Sequence, residues 1–302
     1  LWGFAAAVAG IVIALTSPFI GAVADATGPR KPWIAAFGLL LVLGSIGLWF
    51  GKPGDQSIIL FILVCFAVLT IGMEFATVFN NAMMPSLVPP NKIGWLSGLG
   101  WATGYLGGLV SLAFALLLLS TNPKTGLTLL GTPPSFGLDA AAREGDRFIG
   151  PLTAIWFVVF VLPMFLFTPD SAKALRLGPA MKRGFATTLA TIREVRKHGN
   201  IATFLLANMI YADGLVALFA FGGIYAAGTF GWGAIQLGVF GILLTITGTF
   251  GALIGGRLDD KLGAKPVILG SLVILVVSCI TILSMDRDRI FFFFPVTPAD
   301  PH

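Results

Sequence analysis

The feature that most constrains this chain is a succession of apolar runs, each about as long as a lipid bilayer is thick. A helix needs roughly 20 mostly apolar residues to cross the hydrocarbon core. Eight runs meet that requirement: 1–24, 32–51, 58–84, 93–121, 149–168, 201–228, 232–256 and 266–285. A ninth run begins at Ile290 and stops after Val296, which is too short to cross. The sequence therefore predicts an all-α, polytopic, integral membrane protein.

The composition excludes the soluble alternatives. Only 11% of the 302 residues are charged and 56% are hydrophobic, whereas a soluble domain carries about 25% charged residues. The polar shell of a water-soluble core is missing, which excludes a soluble enzyme, a nucleic-acid-binding domain and a disordered chain. Cys65 and Cys279 both lie inside apolar runs, so we expect two membrane-buried thiols and no disulfide.

The loops between the runs predict the orientation. If the loop at 25–31 is cytoplasmic, the loops on its side hold 13 of the 19 Lys and Arg residues and the opposite side holds 6. Cytoplasmic loops carry such an excess. Seven of the 13 fall between Lys173 and Lys197. Residues 181–197 are predicted to form either an amphipathic helix on the anionic lipid surface or a solvated linker helix between two halves.

Two loops on the same predicted side share the pattern G-x-x-x-D-x-x-G-x-[RK]. The first contains Gly21, Asp25, Gly28, Arg30 and Lys31, and the second contains Gly256, Asp260, Gly263 and Lys265. Glycine permits a tight turn and a close helix approach, and aspartate can cap a helix N-terminus or pair with a basic side chain. Each loop closes one span and precedes another, which indicates a transporter built from two parallel halves.

These paired loops resemble the signature loops of the major facilitator superfamily, which act as conformational motifs between helices two and three and between helices eight and nine. The resemblance implies a major-facilitator-type helical bundle, of which this chain covers about helices 2–9 of 12. It implies an N-terminal half bundle at 1–168 (helices 2–6), a cytoplasmic basic linker at 169–200, and a partial C-terminal half bundle at 201–302 (helices 7–9 and the start of helix 10). Because Leu1 opens directly into a run and the ninth run is cut short, we expect a fragment of a longer protein.

Three further stretches narrow the resemblance: FNNAMMPSL at 79–87, SGLGWATGYLGG at 97–108 and ANMIYADG at 207–214. They resemble the branch that holds the fungal autophagy-linked vacuolar effluxers of amino acids and their bacterial relatives. The resemblance implies a secondary transporter that moves a small solute by alternating access, with amino acids as the candidate solute and protons as the candidate coupling ion. We expect a monomer in a bacterial inner membrane, with the solute and the bilayer as its partners and no nucleic acid.

Polar side chains inside the spans are the candidate site. Of the 14 acidic residues, only Glu74 and Asp213 lie within spans. A charge at the centre of such a helix costs about 2.5–3.5 kcal/mol, so it usually faces a cavity or a partner. The hypothesis is that one of them couples transport to protons or binds the amino group of the solute. The alternative is a structural hydrogen bond between helices.

Glu74 has polar neighbours on its own helix. Thr70, Thr77 and Asn81 lie at i−4, i+3 and i+7 from it, which predicts one polar face on an apolar span. The resemblance implies that this span is helix four, which lines the central cavity.

Asp213 lies on the span that the resemblance identifies as helix seven. Asn208 and Tyr211 are near it in sequence but on a different face, so a break at Gly214 would be needed to bring them together. Trp101 and Tyr105, at i and i+4 of another span, predict an aromatic face that either contacts the solute or packs in the core.

Other classes of function lack their residues. The histidines are His198 and His302, and the sequence contains no HExxH, CxxC, Walker-type loop or nucleophile elbow. We therefore expect no metal, no cofactor and no enzymatic activity. A membrane-embedded hydrolase built on Glu74 and Asp213 is a remote alternative, and a non-transporting sensor or scaffold of the same fold is a second one.

Overall fold

The computed structural model is almost entirely helical, which confirms the predicted fold class. It describes residues 1–122, 125–172, 174–232, 234–285 and 289–295. The helices are α1 (Trp2–Thr27), α2 (Lys31–Gly47), α3 (Ile59–Leu87), α4 (Ile93–Phe114), α5 (Glu144–Arg147), α6 (Ile149–Phe167), α7 (Leu177–Lys197), α8 (Gly199–Phe230), α9 (Ala234–Leu262) and α10 (Ala264–Leu283). Short 3-10 turns lie at Leu48–Phe50, Pro90–Lys92 and Ser135–Gly137, and a π-helical turn at Ala115–Leu119 extends α4.

Membrane-length helices account for most of the chain. Within the described residues, eight helices are long and apolar enough to cross a membrane. They fall on the eight runs predicted from the sequence. The basic helix α7 is long but is not among them, as its content of charged residues predicts.

Contacts divide the chain into two compact units. The first unit comprises Leu1–Val88 with Val110–Glu194, and the second comprises Pro89–Leu109 with Val195–His302. Helix α4 therefore contributes its first part to the second unit and its last part to the first. The expected division into half bundles at 168 and 200 stays a prediction.

The core of the first unit lies where α1, α2 and α3 meet. Its fully buried side chains include Ile34 of α2 and Phe75 and Phe79 of α3. The rings of Phe37 and Phe75 stack with their centroids 4.5 Å apart. A methyl group at Gly72 would lie 2.5 Å from the backbone N of Leu41, so glycine is needed where α3 crosses α2. Close packing of this kind is the usual basis of helix association in lipid.

The end of the described chain differs from the expected start of another helix. Strands β1 (Arg289–Ile290) and β2 (Phe294–Pro295) pair antiparallel. Phe291 and Phe292 turn the chain between them with positive φ angles of 52° and 63°. The predicted loop at 286–288 and the stretch after Pro295 lie outside the described residues.

Candidate functional site

The predicted polar face of α3 is present on the surface of the first unit. Glu74, Thr77 and Asn81 are exposed and Thr70 is half-buried. They lie on the side of α3 opposite its buried face, which carries Phe75 and the rest of the core contacts. The helix thus packs with one face and presents a polar face on the other.

Only part of this polar face is already satisfied by hydrogen bonds. The hydroxyl of Thr70 donates to the carbonyl of Phe66 at 2.8 Å, and that of Thr77 donates to the carbonyl of Met73 at 2.8 Å. Within the described residues, the Glu74 carboxyl and the Asn81 amide make no hydrogen bond or ion pair. The two groups with the most capacity to bind a solute or a proton are therefore the two that the fold leaves unpaired.

A groove of about 430 Å³ adjoins this face within the first unit. Its walls include Met73, Thr77 and Asn80 from α3, and Thr153 and Trp156 from α6. Thr77 is the predicted site residue that opens into it. Sequence reasoning did not single out Asn80, Thr153 or Trp156. The spacing of Thr153 and Trp156, i and i+3 on one span, is the signal that could have identified those two.

The structure does not bring the predicted residues of α8 together. Helix α8 continues through Gly214 without a break. Asp213 therefore projects about 140° away from Asn208 around the helix and about 160° away from Tyr211. All three side chains are exposed on the second unit. Asp213 remains a candidate by itself, without polar neighbours on its own face.

Of the two aromatic side chains of α4, Tyr105 is packed against another helix and Trp101 is exposed. The rings of Trp101 and Tyr105 lie 6.1 Å apart, as their spacing predicts. A methyl group at Gly248 of α9 would lie 3.3 Å from Cε2 of Tyr105, so Tyr105 packs against that helix. Trp101 is 60% exposed. Of the two rings, Trp101 is the one with surface to offer a solute.

The first signature loop is anchored by a residue that sequence reasoning missed. The backbone N–H groups of Arg30 and Lys31 donate to the two carboxylate oxygens of Asp170, at 2.8 and 3.0 Å. In return, the ammonium of Lys31 donates to the carbonyls of Phe165 and Thr168, at 2.9 and 2.6 Å. The start of α2 and the end of α6 therefore cap each other. An acidic residue just after a span, as Asp170 is, was the only signal in the sequence.

The other positions of the first loop differ in how closely they are packed. The Arg30 guanidinium pairs with Asp25 at 2.5 Å, and Asp25 is 73% exposed. Gly28 has a φ of 95°, and a methyl group there would overlap the carbonyl oxygen of Ala172. Gly21 has open space around it.

The second signature loop holds a different helix. Both carboxylate oxygens of Asp260 accept backbone hydrogen bonds at the start of α4, from Gly94 at 2.8 Å and from Trp95 at 2.7 Å. A carboxylate in this position satisfies unpaired N–H groups and interacts favourably with the helix dipole. Gly263 has a φ of 85° in open space, and Lys265 is exposed.

Glycines let α4 and α9 approach closely beside this contact. A methyl group at Gly256 would overlap the carbonyl oxygen of Gly94, and one at Gly98 would overlap that of Ala252. The first glycine of the second signature loop, Gly256, is thus a packing residue. Its partners Gly94 and Gly98, spaced i and i+4, were not singled out from the sequence.

A second cavity, of about 580 Å³, lies in the first unit at the end away from the first signature loop. Its charged residues are Lys52, Asp55, Arg143, Asp146 and Arg147. Arg143 pairs with Asp146 at 2.6 Å, and hydrogen bonds from the hydroxyl and N–H of Ser57 lower the pKa of Asp55. Because much of this charge is matched internally, the cavity does not indicate a particular ligand. Within the described part of the chain, no cluster of three His, Cys, Asp or Glu side chains is arranged to hold a metal ion.

Membrane-length helices, two repeated loops that hold helix ends and a polar face within a span together define a polytopic helical membrane protein. The chain belongs to the Major Facilitator Superfamily, whose family profile matches residues 1–296. This match confirms the resemblance that the signature loops indicated.

The chain is similar to three further proteins. An uncharacterized MFS-type transporter, YxiO, from Bacillus subtilis (strain 168) is 22% identical over 299 residues, covering 98% of this chain and 66% of the relative. Autophagy-related protein 22 from Yarrowia lipolytica (strain CLIB 122 / E 150) is 23% identical over 186 residues, covering 53% of this chain and 29% of the relative. An uncharacterized protein from Aquifex aeolicus (strain VF5) is 36% identical over 98 residues, covering 32% and 24%. The autophagy-related and bacterial matches confirm the predicted branch, although the chain spans less than two thirds of even the Bacillus relative.

Proposed function

We propose that the protein is a secondary transporter, or the larger part of one, that moves a small solute across a membrane by alternating access. Membership of the superfamily supports a transporter in place of an enzyme. The observation that carries the proposal is the polar face of α3, where Glu74 and Asn81 stand unpaired within the described residues of a membrane-length helix.

Glu74 is the first candidate for proton coupling or for binding a cationic group of the solute. An ionisable side chain in a span is costly, and it persists where it faces a cavity, a partner or an ion pathway. Thr77 lies on the same helix face as Glu74 and also lines the groove beside α6. The polar and aromatic side chains of this groove could contact a small molecule. Asp213 is the second candidate. The resemblance to the autophagy-linked branch makes amino acids the first solutes to test.

The signature loops are the proposed conformational elements. The two hydrogen bonds of Asp260 join the end of α9 to the start of α4, and they would have to break if these helix ends separated. A helix cap contributes roughly 1 kcal/mol, which is enough to bias two conformations without locking either one. The proposed setting is a bacterial inner membrane with the basic loops in the cytoplasm, and the proposed assembly is a monomer.

The deciding experiment is transport by the full-length protein in vesicles, with an amino-acid panel and an imposed pH gradient. Glu74→Gln and Asp213→Asn are compared with Asp55→Asn, which neutralises a carboxyl in an exposed loop. A coupling or binding role predicts at least about a tenfold loss of transport for a span variant, the effect of losing roughly 1.4 kcal/mol. Asp55→Asn should leave transport unchanged.

The outcomes separate the alternatives. If transport and its pH dependence survive both span substitutions, neither carboxyl is the coupling site. If ligands raise the melting temperature of the protein but no flux of solute or protons is found, the sensor or scaffold function is favoured over transport.

A further inference from the structure

The groove between α3 and α6 has the unpaired carboxyl of Glu74 beside it. Thr77 lines the groove and follows Glu74 by three residues, which puts the Cβ atoms of the two side chains about 5–6 Å apart. Glu74 lies near the middle of α3, so this end of the groove is deep within the span. An ionisable group at such a depth persists where it faces a polar cavity or a partner of opposite charge.

Helix α2 packs on both walls of the groove and relates their depths. A methyl group at Gly72 of α3 would lie 2.5 Å from the backbone N of Leu41 in α2. A methyl group at Gly38, one turn earlier in α2, would lie 2.7 Å from the ring of Phe157 in α6. Trp156 therefore lies at the depth of the Glu74 carboxyl to within about one helical turn.

The α6 wall of the groove is aromatic. Trp156 and Phe160 both line it, with ring centroids 4.8 Å apart and ring planes tilted by 43°. The face of an indole attracts a cation, and aromatic rings pack on one another at such distances. This wall suits a ligand that carries a positive charge at one end and a flat apolar ring at the other.

The polar groups of the groove offer more acceptors than donors. The hydroxyls of Thr77 and Thr153 each donate at 2.8 Å to a backbone carbonyl of their own helix, which leaves only their oxygen lone pairs for a ligand. The donors that remain in the described lining are the Asn80 amide and the Trp156 indole N–H, and both are neutral. An ammonium group has three donors and no acceptor, whereas a carboxylate only accepts. The groove therefore matches an ammonium better than a carboxylate.

The charge of the groove points the same way. Among the described residues that line it, none is Lys or Arg. A carboxylate bound there would lie near Glu74 without a positive partner, and an unpaired charge removed from water is very unfavourable. Like charges at close range disfavour each other as well. An amine that lacks a carboxyl group avoids both penalties.

We infer that the groove selects arylalkylamines without a carboxyl group, with the ammonium at Glu74 and the ring on Trp156 and Phe160. The inference rests on the proposed role of Glu74 in binding a cationic group of the solute. It narrows the solute class, because a free amino acid shares the ammonium and the side chain but adds a carboxylate that this groove does not match.

The test is equilibrium binding of radiolabelled 2-phenylethylamine to the full-length protein in nanodiscs. Its amine is charged at pH 7, as a lysine side chain is. L-phenylalanine and 3-phenylpropionate are the competitors, because the first adds a carboxylate to the probe and the second has a carboxylate in place of the amine. We expect unlabelled 2-phenylethylamine to displace the probe, and each competitor to be at least about tenfold weaker, the effect of one unmatched charge.

Variants assign the binding to the groove. Glu74→Gln should weaken binding of 2-phenylethylamine at least about tenfold, because a hydrogen bond to a charged group is lost. Trp156→Leu should weaken it about three- to tenfold through the lost ring face. The matched controls are Asp55→Asn, a carboxyl in a loop, and Phe167→Leu, an exposed aromatic residue at the end of α6 outside the described groove lining. Both controls should bind as the unmodified protein does, and melting temperatures show whether each variant is folded.

The outcomes keep the solute class apart from the transport function. Equal competition by L-phenylalanine means that a cation elsewhere in the full-length protein accepts the carboxylate, which overturns the inference. Absence of displaceable binding overturns it too, as does binding that Asp213→Asn abolishes and Glu74→Gln does not. Flux of L-phenylalanine into vesicles without flux of 2-phenylethylamine refutes the solute class and leaves transport standing. Groove-dependent binding of 2-phenylethylamine without any flux supports the site and contradicts the proposed transport.

Discussion

The two signature loops have the same residue pattern and different neighbours. In the loop at 21–31, the aspartate Asp25 is exposed and pairs with Arg30 of the same loop. In the loop at 256–265, the equivalent Asp260 accepts two backbone hydrogen bonds from the start of α4. In the first loop it is the distant Asp170 that accepts the equivalent pair of hydrogen bonds, from the start of α2.

The glycines differ in the same way. Gly256 packs against the backbone of Gly94, while its equivalent Gly21 is in open space. Gly28 packs against Ala172, while its equivalent Gly263 is in open space, although both have a positive φ. A repeated pattern therefore identifies where a loop lies and what it is able to do. Which residues of the loop make packing contacts or cap a helix depends on the segment that folds against that loop.

The largest expected single effect is that of Gly28→Ala, which is compared with Gly263→Ala. Both changes force an L-residue into a conformation that favours glycine, at a cost of about 1–2 kcal/mol. At Gly28 the new methyl group also overlaps the Ala172 carbonyl, which raises the cost to about 3 kcal/mol or more. The measurement is the apparent melting temperature of the full-length protein in detergent, followed by tryptophan fluorescence at a fixed scan rate. Equal shifts for the two variants would mean that the contact with Ala172 does not form.

The next difference is between Gly256→Ala and Gly21→Ala, which both lie inside helices. Gly256→Ala separates α9 from α4 where their backbones approach closely, with an expected cost of about 1–3 kcal/mol. Gly21→Ala enters open space, and alanine in a helix interior is favoured over glycine by roughly 0.5–1 kcal/mol. The melting temperature should therefore fall for the first variant and stay level or rise for the second. A fall of the same size in both would contradict the asymmetry between the loops.

Local periodicity explains what the sequence could predict. The eight spans follow from runs of apolar residues, because bilayer thickness sets their length. The shared face of Glu74, Thr77 and Asn81 follows from the helical repeat alone. The pairing of Trp101 with Tyr105 follows from the same repeat.

Contacts between distant segments explain what the sequence could not predict. Asp170 lies 140 residues from Arg30, and no repeat links them. The partners of Gly256 on α4 are equally remote in sequence. Gly214 failed to break α8 because a single glycine costs a helix only about 1 kcal/mol, which a long helix tolerates. The candidate site was therefore predictable as one helix face and not as a pocket with walls from two helices.

The smallest expected difference is between Asp260→Ala and Asp25→Ala. Asp260→Ala leaves two N–H groups at the start of α4 without their acceptor, and losing such a cap costs about 1 kcal/mol. Asp25→Ala removes an exposed ion pair, which contributes about 0.5 kcal/mol or less. The Asp25 effect should shrink further as salt is added, because exposed pairs are screened. Melting temperatures of both variants at low and high salt are the measurement, with Asp170→Ala as the control that removes the equivalent cap from α2. If Asp25→Ala is as costly as Asp260→Ala at high salt, Asp25 also caps a helix, and the two loops are equivalent in the full-length protein.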